Sequence, residues 1–90
     1  MAARHKAPGL GLRVKDAEGG PGAYVGSLRP GSPGEQAGVR PGDVVEELSG
    51  APVTNAADLE RIAKSRRPGQ PTSATVRRNG ERKTLIIPGG

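Results

Sequence analysis

At 90 residues and a formal net charge of +5, the chain has room for one small domain and not for two. It holds no cysteine, which excludes disulfides and thiolate metal sites, and its single histidine with scattered carboxylates makes a poor metal-ligand set. No apolar run approaches the roughly 20 residues of a membrane-spanning helix.

Glycine and proline supply 15 and 9 residues. They sit at the ends of short apolar runs, as turn residues do, so the chain reads as folded and not as a low-complexity tail. The larger aliphatics are 6 Leu, 7 Val and 3 Ile, with no Phe or Trp and one aromatic, Tyr24. A domain this small buries only about 60–65% of its unfolded surface, so this thin core has to be used fully.

Residues 1–8 are polar and unpatterned and are expected to form a disordered N-terminal segment before a folded domain over 9–88. They carry Arg4, His5 and Lys6 but lack the apolar region of a signal peptide. Gly9-Leu10-Gly11-Leu12 comes next. Such a turn can bend sharply and present a concave row of N–H groups, a receptor for a carboxylate. The strand after it, to Lys15, sets Leu12 and Val14 on one face by period-two alternation. If its edge is open, a peptide can add there and end its C-terminus in the turn. A dinucleotide loop is the wrong reading: no strand precedes the glycines, Val14 replaces the third one, and no helix follows.

Asp16–Gly22 is a loop and Ala23–Leu28 a second strand. Ser32, Pro33 and Glu35 open a short helix as N-cap, first helical residue and capping-box partner, and Gly38 stops it. Pro41-Gly42-Asp43 is a structural turn in which Asp43 accepts from nearby backbone N–H groups. Val44–Leu48 is a strand, on which the adjacent Glu46 and Glu47 should point to opposite faces and so make no catalytic pair. After an extended Ala51-Pro52-Val53, Thr54 or Asn55 caps a longer helix from about Ala56 to Ser65. Its apolar stripe is Ala56, Leu59, Ile62 and Ala63. Thr72–Arg77 and Arg82–Ile87 form a hairpin around Asn79-Gly80, both of which tolerate positive φ. The expected fold is α+β: a partly open barrel of five to six strands capped by one short and one long helix.

Charge is uneven. Glu35, Asp43, Glu46, Glu47, Asp58 and Glu60 face only Arg40 over residues 30–60. Arg61, Lys64, Arg66, Arg67, Arg77, Arg78, Arg82 and Lys83 face only Glu81 over residues 61–90. Such a half could attract nucleic acid or anionic lipid, but no aromatic side chains are interleaved to stack on bases. A solvated surface accounts for it, and nucleic acid is disfavoured as a partner. Catalysis is disfavoured too: there is no Gly-x-Ser-x-Gly elbow and no cysteine, and the one histidine, His5, lies in the N-terminal segment.

Four segments in order resemble the PDZ domain of the bacterial HtrA/Deg protease type. They are Gly9-Leu10-Gly11-Leu12, the run Ser32 to Val45 with its Ala37-Gly38 and Gly42-Asp43 pairs, Ser49 to Thr54 before the long helix, and the hairpin. The resemblance implies a protein–protein interaction module, not an enzyme in itself and without a cofactor, metal or catalytic residue. It would bind hydrophobic C-terminal or extended peptide segments by strand addition, and its parent would be an envelope serine protease, placing it in the periplasm or cell envelope. The carboxylate would sit at Gly9, Leu10, Gly11 and Leu12. The groove would be bordered by Arg13, Val14, Lys15, Ala56, Leu59, Glu60, Ala63 and Arg67. Leu12, where the family often has an aromatic residue, and the small Ala56 and Ala63 imply a roomy aliphatic pocket. The short Asp16–Gly22 connection implies a less covered groove. An alternative in the same frame is a docking domain that packs on the protease domain of its own chain, or serves a membrane protease, secretion or organelle-assembly protein, with its groove unused.

Overall fold

The computed structural model describes residues 5–7 through their backbone, and residues 10–67 and 69–89. The elements in chain order are β1 (His5–Ala7), β2 (Leu12–Asp16), β3 (Ala23–Leu28), α1 (Pro33–Ala37), β4 (Val44–Leu48), β5 (Ala51–Pro52), α2 (Ala56–Ser65), β6 (Thr72–Arg78) and β7 (Glu81–Ile87). The strands form one open antiparallel sheet in the order β1-β2-β3-β4-β6-β7, with β5 paired to β4. This is the expected α+β architecture with one short and one long helix.

The N-terminal segment departs from expectation. His5–Ala7, read from sequence as disordered, form β1 and pair with β2 in the register His5↔Val14, Lys6↔Arg13, Ala7↔Leu12. The physical reason is the free edge of β2: its unpaired backbone groups offer a ladder to any nearby extended segment, whatever its side-chain pattern. The remainder of the 1–8 segment lies outside the described residues.

Local signals were followed closely elsewhere. Ser32 Oγ accepts from Glu35 N at 3.3 Å, and Gly38 ends α1 at φ 97°. The Glu35 carboxylate reaches one residue further back than a capping box requires and accepts from Gly31 N at 2.8 Å. Asn55 caps α2, its Oδ1 accepting from Asp58 N at 2.8 Å. The β6–β7 hairpin closes on Asn79 and Gly80, at φ 53° and 81°, with Arg78 opposite Glu81. Both central residues at positive φ make the turn whose twist matches that of the strands.

One alternation argument fails. In β4 the register to β6 shifts between Val45 and Glu47, so Val45 and Leu48 are both buried. A bulge inserts a residue and breaks the two-residue period. Glu46 and Glu47 therefore border the same shallow surface hollow, with Thr75 and Arg82, instead of facing apart.

The core gathers Leu10, Leu12, Val14, Val25, Val45, Leu48, Leu59, Val76 and Ile87 between the sheet and α2, all buried. Asp43 is the one charged residue among the buried side chains described, only 1% exposed. Besides the Arg40 N–H at 2.9 Å, it receives Arg78 Nε on Oδ1 at 2.8 Å and Arg78 Nη2 on Oδ2 at 2.7 Å. Nη2 also reaches the Gly38 carbonyl at 2.7 Å. The fork ties the α1 exit and the turn before β4 to the end of β6.

The uneven charge is largely internal complementarity. Glu46 receives Arg77 and Arg82, each at 3.0 Å. Asp58 pairs with Arg61 at 3.2 Å and Glu60 with Lys64 at 3.1 Å. With Arg78 on Asp43, five of the eight cations over 61–90 pair with acids of the preceding segment.

Candidate functional site

The turn ahead of β2 is anchored by its carbonyls. Leu10 C=O accepts from Gly34 N of α1 at 2.9 Å, and Gly11 C=O accepts from Arg29 N at 2.8 Å. In a planar trans peptide the N–H of the next residue points opposite to the C=O. The N–H groups of Gly11 and Leu12 are therefore directed away from α1 and β3, to the side of β2 on which β1 pairs. Two glycines make this possible. Gly11 has φ 76°, and a Cβ there would lie 2.1 Å from Ser32 Cβ. A Cβ on Gly34 would come within 2.7 Å of Leu12 Cδ2 and 2.8 Å of Leu10 O. The turn thus rests directly on the N-terminus of α1.

β2 continues from the turn with Leu12 and Val14 buried and Arg13 and Lys15 exposed. Its other edge is taken by β3, from Leu12↔Leu28 to Asp16↔Ala23. α2 lies alongside, its stripe of Ala56, Leu59, Ile62 and Ala63 turned inward. The helix is held to β2 by Asp16, whose Oδ1 accepts from Ala56 N at 3.0 Å. At the same end, Asp58 Oδ2 accepts from both the N–H and the hydroxyl of Thr54. These bonds and that of Arg61 hold the Asp58 carboxyl below its ordinary value.

The structure brings together Leu10, Gly11, Leu12, Val14, Ala56, Leu59 and Ala63 around one apolar seam, with every one of the larger side chains buried. It does not bring all the expected residues there. Arg13 and Lys15 line a hollow on the outer face of β2 and β3 with Tyr24, and Lys15 Nζ lies 5.3 Å from the Tyr24 ring centroid. Only their backbones border the β2 edge. Glu60 lies beside Lys64 and Arg61 at the outer side of α2. Arg67 is exposed beyond the end of α2. Gly9 lies outside the described residues. Sequence reasoning missed Asp16, Arg29, Ser32 and Gly34 as supports of this region. Their partners lie far off in the chain, and no local spacing announces them.

A glycine turn feeding a strand that is faced by a helix, in an antiparallel sheet of this order, is the architecture of the PDZ class. The PDZ domain family matches residues 8–88, and the chain belongs to it, in the form carried by HtrA-type proteases. It is similar to a probable periplasmic DegP-like serine endoprotease of Rhizobium meliloti, 44% identical over 73% of this chain and 13% of that protein. It is likewise similar to the Do-like serine protease HtrB of Bacillus subtilis, 39% identical over 73% of this chain and 15% of the relative. The chain therefore spans a small fraction of the relatives it matches. Among solved structures, the HtrA-type protease AlgW with a decapeptide superposes with a TM-score of 0.78 at 26% identity, over 88% of this chain and 27% of that one. The HtrA3 PDZ domain bound to a phage-derived ligand superposes at 0.77 and 21% identity, over 98% of this chain and 86% of that one, and shows the shared fold.

Proposed function

We propose that this domain captures hydrophobic C-terminal peptides by adding them as a strand to β2, as the recognition or regulatory domain of an envelope serine protease. The observation that carries the reading is the turn: the inward anchoring of the Leu10 and Gly11 carbonyls aims the Gly11 and Leu12 N–H groups at the end of the β2 edge. A terminal carboxylate there would accept charge-assisted bonds from preorganised donors. The ligand's last side chain would enter among Leu10, Leu12, Val14, Leu59 and Ala63. This aliphatic lining would discriminate poorly among Val, Leu and Ile, because one methylene is worth only about 1–3 kcal/mol. Glu60 and Arg67 could meet the ligand only further from its C-terminus. The peptide carried by AlgW and the periplasmic names of relatives support the peptide partner and the envelope setting.

The deciding experiment is an NMR titration with a short peptide ending in Val, as free acid and as C-terminal amide. The free acid is expected to shift the amides of Leu10 to Lys15 with affinity near micromolar, about −8 kcal/mol. Equal binding of the amide, or no shift in this segment, would sink the reading.

A further inference from the structure

We propose that β1 is a tethered competitor that occupies the peptide site in cis, an inference that rests on the peptide-binding reading above. A peptide whose carboxylate reaches the Gly11 and Leu12 N–H groups must run antiparallel to β2, its last residue near Leu12 and its earlier ones toward Val14. β1 runs the same way on the same edge, with Ala7 opposite Leu12 and His5 opposite Val14. The second edge of β2 is closed by β3, so β1 and a ligand exclude each other. β1 also packs against α2, the opposite wall of the groove, and the apolar residues between, Leu12, Val14, Leu59 and Ala63, are buried in its presence.

The competition is weak by construction. Three residues make a short strand with few ladder bonds, at the low-stability end of the fold. Because Leu12 N–H faces β1, the alternation of an antiparallel ladder puts Leu12–Ala7 and Val14–His5 at the hydrogen-bonding positions. β1 thereby screens the edge from indiscriminate strand pairing while yielding to a peptide that adds a carboxylate and a buried side chain. The apparent affinity is the intrinsic one reduced by the fraction of molecules with β1 displaced.

The test uses the full chain and its His5→Pro/Ala7→Pro variant, which removes both ladder donors from β1. Calorimetric titration with a free-acid peptide ending in Val is expected to show about tenfold tighter binding to the variant. Without peptide, the Leu12 and Val14 amides should exchange with solvent faster in the variant than in the parent. Equal affinity of the two chains overturns the competition and leaves peptide binding standing. Equal exchange at Leu12 and Val14 overturns the seating of β1. Absence of binding to either chain overturns the peptide reading and the competition with it.

Discussion

The backbone N–H of Ala56 donates a 3.0 Å hydrogen bond to Asp16 Oδ1, joining the end of β2 to the first turn of α2 across 40 residues. The carboxylate also meets the positive end of the helix dipole. This contact ties the two walls of the candidate groove together at one end. Asp16→Ala should lower stability by about 1 kcal/mol, as a lost helix cap does. It should also weaken peptide binding, while Asp16→Asn retains most of both. Urea unfolding and peptide titration of the two variants check this.

Arg78 and Asp43 form the buried ion pair of the domain, the arginine 19% and the aspartate 1% exposed. Arg78→Met leaves Asp43 charged without its fork. The expected loss is about 3 kcal/mol, the low end for a broken buried pair, because Arg78 keeps some solvent. In a domain of this size that lowers Tm by more than about 10 °C, measured by calorimetry.

Acid should destabilise the domain through the same group. Burial by itself raises the Asp43 pKa, but the Arg78 hydrogen bonds, the Arg40 N–H and both guanidinium charges outweigh it and hold the carboxyl below its ordinary 3.8. A carboxyl depressed in the folded state stabilises the fold above its unfolded pKa, and that contribution is lost as pH falls through the folded value. Unfolding free energy is therefore expected to be flat from neutral pH down to about 5 and to fall below about 4. Urea midpoints across this range should show a shallower acid limb in Arg78→Met, since the bonds that depress Asp43 are already gone.

Gly11→Ala should damage the fold before it affects any ligand. The residue has φ 76°, and the new Cβ would meet Ser32 Cβ at 2.1 Å. Left-handed strain and overpacking together are expected to cost about 2–4 kcal/mol. Thermal unfolding reads the loss directly. Ser32→Gly in the same chain should recover the steric part and leave the strain.

Much of this protein was legible in its sequence because the determining interactions are local. Asn79-Gly80 could only turn between two alternating runs. Ser32-Pro33 and Gly38 delimit a helix, and the Ala56, Leu59, Ile62, Ala63 spacing marks the buried face of another. Those signals, in their order, resemble those of the PDZ family and put the Leu10-Gly11 turn before its strand. Tertiary structure decided what depends on meetings between distant residues. It chose which way the turn's N–H groups point, because Gly34 and Arg29 claim the Leu10 and Gly11 carbonyls. The β4 bulge set Glu47 on the same side as Glu46, and the acids of one segment met the cations of the next as Glu46 took Arg77 and Arg82. Above all, a segment with no pattern of its own became a strand, because backbone pairing asks for an unpaired edge and not for particular side chains.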